Sequence, residues 1–215
     1  IDSNGEFLYK RGYQQFRSEA PLRESLASAM YLATQSEHYL TLLDPFCGSG
    51  TIPIEFMINR SHFLNDTLRD YAFKHWNTFD KAYYDKTIMN LKNKTYPETD
   101  KISYFASDIS PNCINAVQNN YQVSRMNDHL NVQVCDFLTI TPEQLPDNCM
   151  IVTNPPWGKR IQSDQLIRIY RHLSLLGGFC PVYCLIPDIN LRFFKKKEIV
   201  FKTKSGSINV NFIKL

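Results

Sequence analysis

Short apolar runs recur along the chain, and four of them end on a polar residue with a carboxylate or amide side chain. Leu40–Leu43 ends at Asp44, Ile102–Ala106 runs up to Asp108, Asn131–Cys135 ends at Asp136, and Met150–Thr153 ends at Asn154. Phe179–Ile186 is a fifth run. Apolar runs of about four to eight residues bounded by turn signals predict buried strands. Helical stretches lie between them. One spans Thr51 to about Asn59, with Pro53 in its first turn, where the missing N–H is tolerated. A second opens at Ser110-Pro111 and reaches about Gln122, with Ser110 placed to cap it and Pro111 at the first helical position. Ile208–Ile213 alternates apolar and polar positions and predicts a late antiparallel strand. Repeated strand–helix units predict an α/β fold, with a mostly parallel sheet covered by helices on both faces.

Two regions depart from this rhythm. Residues 1–38 precede the first strand and predict an N-terminal helical segment on the substrate side of the domain. Ser61 to Asp100 is rich in aromatics (Phe63, Tyr71, Phe73, Trp76, Phe79, Tyr83, Tyr84) separated by polar residues. It predicts a helical insertion at 61–100 within a core of 39–215.

At 215 residues the chain fits one α/β domain. Its net charge of +3 says little about partners, but the distribution says more. Between Leu191 and Lys204 six basic residues (Arg192, Lys195, Lys196, Lys197, Lys202, Lys204) face one acid, Glu198, a local excess of +5. That is a solvated face or a phosphate-contacting patch. The six cysteines (Cys47, Cys113, Cys135, Cys149, Cys180, Cys184) are scattered, with no C-x-x-C pair and no metal-site spacing. Reduced thiols in a cytoplasmic protein are the expectation. No apolar run approaches the ~18 residues of a membrane helix, so no membrane partner is expected.

Four polar groups at strand carboxyl ends are candidate site residues, because open α/β sheets bind ligands there. Asp44-Pro45-Phe46-Cys47-Gly48-Ser49-Gly50-Thr51 is a strand–turn–helix with two glycines, which permit a turn and a close ligand approach. The helix that follows presents unpaired N–H groups. Thr51-Ile52 follows Gly50 where a P-loop needs Lys and Ser or Thr, and Pro53 stands where a dinucleotide turn needs its third Gly. With Asp44 at the strand end, the turn suits S-adenosylmethionine. Asp108, followed by Ile109, can accept both ribose hydroxyls of an adenosine; alone it is a helix-start Asp. Asp136 can accept an adenine amine while the Phe137 N–H donates to the ring; alone it is a turn residue. Asn154-Pro155-Pro156-Trp157 joins a side-chain acceptor, two donor-free residues and a flat π surface. It can hold an exocyclic amine by its two hydrogens while the attached ring stacks. The bland alternative is a Pro-rich strand end with Trp157 on a rim. Cytosine C5 methylation is disfavoured, because it needs a Cys nucleophile and no Pro-Cys pair occurs.

As a set, Asp44–Thr51, Asp108, Asp136-Phe137 and Asn154–Trp157 resemble the motifs of class I S-adenosylmethionine-dependent amino-methyltransferases. Gly5–Tyr13, Glu19–Glu24, Trp76–Asp80, Gly158-Lys159-Arg160 and Ser205-Gly206-Ser207 are similar to the catalytic domain of the ribosomal RNA large-subunit methyltransferase L/K family. That resemblance implies a Rossmann-like, seven-stranded sheet with one antiparallel strand. It implies S-adenosylmethionine as cofactor and methyl transfer to guanine N2 in RNA, ribosomal RNA first and tRNA second. It also implies a preceding THUMP RNA-binding domain, so a chain starting at Ile1 rather than Met is expected to be an excised catalytic domain. Trp157 stands where the family has Tyr or Phe, and Lys159 where Glu is common. DNA or RNA adenine N6-methylation, protein glutamine methylation and an inactive RNA-binding subunit stay open as alternatives.

Overall fold

The computed structural model describes residues 2–16, 22–34, 38–61, 69–92, 102–126, 129–158 and 162–215. Residues 19–21 of the Glu19–Glu24 motif, 62–68 and 93–100 of the expected insertion, and the Lys159-Arg160 pair lie outside these described residues.

Seven strands form one sheet: β1 (Thr41–Asp44), β2 (Ser103–Asp108), β3 (Leu130–Val134), β4 (Cys149–Thr153), β5 (Val182–Pro187), β6 (Glu198–Ser205) and β7 (Ile208–Lys214). Their order is β3-β2-β1-β4-β5-β7-β6. Strands β1 to β5 pair in parallel, while β7 runs antiparallel to both β5 and β6. The expected α/β class, with a single antiparallel strand, is what the chain adopts. Among the described residues five α-helices accompany the sheet: α1 (Glu24–Ala33), α2 (Thr51–Arg60), α3 (Lys81–Lys92), α4 (Pro111–Ser124) and α5 (Ser163–Leu176).

The two-residue period of a strand sorts side chains to the two faces. On β4 and β5, Met150, Val152, Tyr183 and Leu185 join one apolar cluster with Met30, Ile54, Met57 and Val117 of α1, α2 and α4. Cys149, Ile151, Val182, Cys184 and Ile186 join the other, with Leu166, Ile169, Tyr170, Leu173 and Leu176 of α5. Those five helix residues recur at three- and four-residue spacing, the signature of a core-facing stripe.

The predicted fifth strand begins later than its apolar run. Pro181 has no N–H for a ladder, and Phe179 is exposed in the turn after α5. Most of the basic Leu191–Lys204 stretch is not a separate face but structure. A 3-10 helix covers Asp188–Phe193, and Glu198 onward is β6, the edge of the sheet. Lys202 and Lys204 are both exposed, while Phe201, Thr203 and Ser205 between and beside them are partly buried. In the 69–92 region a short 3-10 helix, Ala72–His75, precedes α3. It docks on the N-terminal segment, where Phe73 N donates to Ser3 O at 3.1 Å and Arg69 donates to the carbonyls of Glu6 and Phe7.

Residues 2–16 are fastened to helices α2 and α4 by buried polar groups. Asn120, fully buried on α4, accepts from the N–H groups of Gln15 and Phe16 through Oδ1. Its Nδ2 donates to the carbonyls of Phe16 (2.6 Å) and Ser49 (3.0 Å). Tyr13 donates to Glu55 of α2 at 3.0 Å, and the Arg11 guanidinium lies 3.5 Å from the same carboxylate. One amide thus ties the N-terminal segment to the glycine turn between β1 and α2.

Candidate active site

The chain leaves β1 toward β2 and β3 on one side of the sheet, and leaves β4 toward β5 on the other. The strand order therefore reverses between adjacent β1 and β4, which opens a crevice beyond their carboxyl ends. A cavity of about 860 Å³ lies there. It is lined by Asp44, Asp108, Asp136 and Asn154, so the four strand-end groups picked out in the sequence meet in one place.

Asp44 closes β1 and is almost wholly buried. Its Oδ1 accepts the Thr153 hydroxyl at 2.7 Å and the Phe46 N–H at 3.3 Å. Its Oδ2 has no hydrogen-bond partner. Burial pushes this carboxyl up to about 7, against the two hydrogen bonds that favour the charged form. A buried acceptor without a donor is costly, so such an atom marks a place for a ligand donor.

The turn after Asp44 is bound to the end of β2. Cys47 N donates to Ser107 O at 3.0 Å, and Gly48 N donates to Asp108 Oδ2 at 3.1 Å. Asp108 Oδ1 accepts from Ser110 N at 3.0 Å. A carboxylate has about four lone-pair positions, so Asp108 keeps capacity for hydroxyl donors. Ser110 occupies the N-cap of α4 but makes no side-chain cap; the Asp108 carboxylate takes its N–H and Ser110 lies on the cavity wall instead. Pro45, Phe46, Cys47, Gly48, Ser49 and Thr51 also line the cavity, whereas Gly50 does not. Gly50 sits at φ +83, and a Cβ there would meet Val117 Cγ1 of α4 at 3.0 Å. Glycine at this position serves the left-handed turn and the packing on α4 rather than ligand approach. Burial pushes the Cys47 thiol up, away from the reactive thiolate form.

Asp136 follows β3, and its Oδ1 accepts from Leu138 N at 3.0 Å. Phe137 is buried, with its ring 4.8 Å from Phe46 and edge-on to His172 at 4.9 Å. Ile109 lies on the same wall and is 62% exposed, an apolar surface left open beside Asp108.

Beyond β4, Asn154, Pro156 and Trp157 line the cavity. Asn154 Oδ1 is buried and unpartnered, the counterpart of Asp44 Oδ2. Pro155 is buried and is not a wall residue. Trp157 donates through Nε1 to Leu185 O at 3.1 Å, one residue beyond the last β4–β5 pair, Thr153 with Cys184. The indole is thereby anchored to the sheet along one edge, packed partly against the core.

Several further wall residues were not singled out as site residues in the sequence. Leu22 comes from the N-terminal segment, Asn112, Cys113 and Ala116 from α4, Gln165 and Ile169 from α5, and Ser205 and Ile208 from the β6–β7 hairpin. Those of α4 had an available signal, since they fall on the first turns of a helix that starts directly after a strand-end carboxylate. Among the described residues no group of His, Cys, Asp or Glu could hold a metal ion, and no helix is long and apolar enough to cross a membrane.

The model of the UPF0020 family, RMKL-like, methyltransferase domain, matches residues 11–175. The chain is 31% identical over 201 residues to the Ribosomal RNA large subunit methyltransferase K/L of Shewanella baltica (strain OS185), covering 89% of this chain and 28% of that protein. It is 30% identical over 214 residues to the enzyme of the same name from Shewanella amazonensis, covering 93% of this chain and 30% of that protein. The chain thus spans less than a third of the length of these relatives. Among solved structures, SMU.472 complexed with SAH superposes with a TM-score of 0.84 at 23% identity, over 100% of this chain and 57% of that one. TrmN from Thermus thermophilus superposes with a TM-score of 0.61 at 16% identity, over 96% of this chain and 52% of that one. These structural likenesses concern the fold.

Proposed function

Because the chain belongs to the RMKL-like methyltransferase domain family, we propose that its cavity transfers a methyl group from S-adenosylmethionine to the exocyclic N2 amine of a guanine in RNA, with 23S ribosomal RNA as the substrate class. One observation carries the reading. Two wall residues on adjacent central strands, Asp44 and Asn154, each hold a buried oxygen with no donor.

The donor set fits S-adenosylmethionine. Asp44 Oδ2 suits an ammonium, Asp108 suits paired ribose hydroxyls, and Asp136 with the Phe137 N–H suits an adenine edge. The cavity volume of about 860 Å³ is within the ~300–1,000 Å³ range of small-molecule sites. When bound there, the cofactor supplies an electrophilic methyl group on a sulfonium.

A guanine amine is a weak nucleophile because its lone pair is delocalised into the ring. Asn154 Oδ1 would accept one of its hydrogens and favour a more tetrahedral nitrogen; the lone pair would then form the new N–C bond as the methyl–sulfur bond breaks, S-adenosylhomocysteine would leave, and the surplus proton on nitrogen would pass to water. The Pro155 carbonyl is the second acceptor in this reading, although Pro155 sits behind the cavity wall. Trp157 stacks the base and sets the line of approach. Orientation and electrostatic placement do the work, and well-oriented reactions gain about 7–11 kcal/mol this way. The base has to leave its stack to enter, which favours loops and single strands.

The exposed Lys202 and Lys204 lie on the strand that leads to the wall residue Ser205, where they can contact RNA phosphate. Activity in the cytoplasm, with a THUMP-type RNA-binding domain on the same polypeptide, belongs to the same proposal.

Nucleoside analysis of ribosomal RNA incubated with the protein and S-adenosylmethionine tests it. N2-methylguanosine supports the reading, and N6-methyladenosine or no methylated nucleoside refutes it.

A further inference from the structure

Two buried residues outside the tetrapeptide hold its far end. Tyr170 of α5 is fully buried, and its hydroxyl donates to the Pro156 carbonyl at 2.9 Å. Asn190, in the 3-10 helix after β5, is 5% exposed. Its Nδ2 donates to the Tyr170 hydroxyl at 2.9 Å and to the Trp157 carbonyl at 3.0 Å. A hydroxyl has one hydrogen and two lone pairs, so Tyr170 gives to Pro156 and receives from Asn190 at once. The amide has two hydrogens, and both are used. Consecutive carbonyls of the turn are thus gripped from α5 and from the end of β5.

Core packing alone does not call for these groups. An amide and a phenol cost free energy to bury and return it only when their hydrogen bonds are made. Phe and Leu would fill the same space without that demand. What the polar pair adds is direction, because hydrogen bonds fix where two carbonyls point. The Trp157 Nε1 bond to Leu185 O adds a third fastening to the same residue.

We propose that Tyr170 and Asn190 are positioning residues. They lock the carbonyls of Pro156 and Trp157 onto the scaffold, and so hold the Trp157 ring and the Asn154 amide in one arrangement for the incoming amine. The Pro156 and Trp157 carbonyls each thereby carry one scaffold hydrogen bond. The inference rests on the methyl-transfer reading of this site, and it names the residues that act through the tetrapeptide rather than on substrate.

Tyr170→Phe removes one hydroxyl and keeps the ring; Asn190→Ala removes both amide hydrogens. Trp76 and Trp157 are the two tryptophans of the chain, so a Trp76→Phe background leaves Trp157 as the single emitter. Each variant is made in that background, and its fold is checked by circular dichroism. The expected result is a methyl-transfer rate at saturating cofactor lower by about 10- to 100-fold. S-adenosylhomocysteine affinity is unchanged, and Trp157 becomes more open to acrylamide quenching. Unchanged rate and unchanged quenching in folded variants overturn the inference, as does a rate loss that only follows the loss of folded protein. If the parent protein transfers no methyl group, the functional reading fails, and the quenching measurement alone decides the clamp.

Discussion

The Thr153 hydroxyl donates to Asp44 Oδ1 at 2.7 Å and ties the ends of the two central strands, β4 and β1, to each other. It occupies one oxygen of a buried carboxylate and leaves the other, Oδ2, without a donor. Thr153 also stands directly before Asn154, whose own oxygen is unpaired. One hydroxyl therefore fixes the spacing between the two unpartnered oxygens, Asp44 Oδ2 and Asn154 Oδ1.

The raised carboxyl of Asp44 sets a pH dependence. Its folded value of about 7 lies above the ordinary carboxylate value, so the neutral form is favoured in the ligand-free protein. Its contribution to stability is complete below about pH 4 and is lost as pH rises through about 7. A ligand ammonium beside Oδ2 needs the charged form. S-adenosylhomocysteine affinity should then rise about tenfold per pH unit below about pH 7 and level off above it. Asp44→Asn should bind weakly with no such slope. Calorimetric titrations across this range check the prediction, and a pH-independent wild-type affinity contradicts it.

Gly50→Ala should destabilise the fold. The new Cβ would require a left-handed backbone and would press on Val117 at 3.0 Å. A cost of about 1–3 kcal/mol is expected from such strain. Urea denaturation measures it, and unchanged stability would show that the turn can relax.

Asn120→Ala should release the N-terminal segment from the glycine turn. Four hydrogen bonds are lost, two accepted from Gln15 and Phe16 and two donated to Phe16 and Ser49. A destabilisation of about 2–4 kcal/mol is expected. Hydrogen exchange at Gln15 and Phe16 should quicken in the variant. Retained protection there would mean that Tyr13 and Glu55 suffice as the anchor.

The contrast between these positions shows what the sequence could carry. Asp44, Asp108 and Asn154 were legible because each closes or directly follows an apolar strand run; Asp136 follows β3, an edge strand that is only partly buried, and was legible from its place at the strand end alone. Strand β6 was not, because an edge strand with Lys202 and Lys204 on its exposed side looks like a basic surface stretch. Helix α5 carries a regular stripe in Leu166, Ile169, Tyr170, Leu173 and Leu176, but Gln162 ahead of it makes no side-chain cap and leaves its start unmarked. Asn120 and Asn190 gave no local signal at all. Their partners lie 104 and 33 residues away for the Phe16 and Trp157 carbonyls, and only the fold brings them together. The same holds for Gly50, whose neighbour Val117 comes from a different helix.

Lys202 and Lys204 offer a test of the nucleic-acid reading that is separate from the chemistry. Replacing both with Gln should weaken RNA binding. The slope of log affinity against log salt should become shallower by about 0.7–0.9 for each phosphate that is no longer neutralised. Binding isotherms at several salt concentrations measure that slope. An unchanged affinity and slope would make this edge a solvated face only.

We propose that Asn154 holds the amine while the three strand-end carboxylates hold the cofactor. Single-turnover transfer of labelled methyl to ribosomal RNA by wild type and Asn154→Ala, with S-adenosylhomocysteine affinity measured on both, tests it most directly. The account predicts N2-methylguanosine from wild type, a loss of at least about 100-fold in the variant, and equal affinity for the cofactor product. A variant that transfers methyl at the wild-type rate, or that loses the cofactor product together with activity, contradicts it.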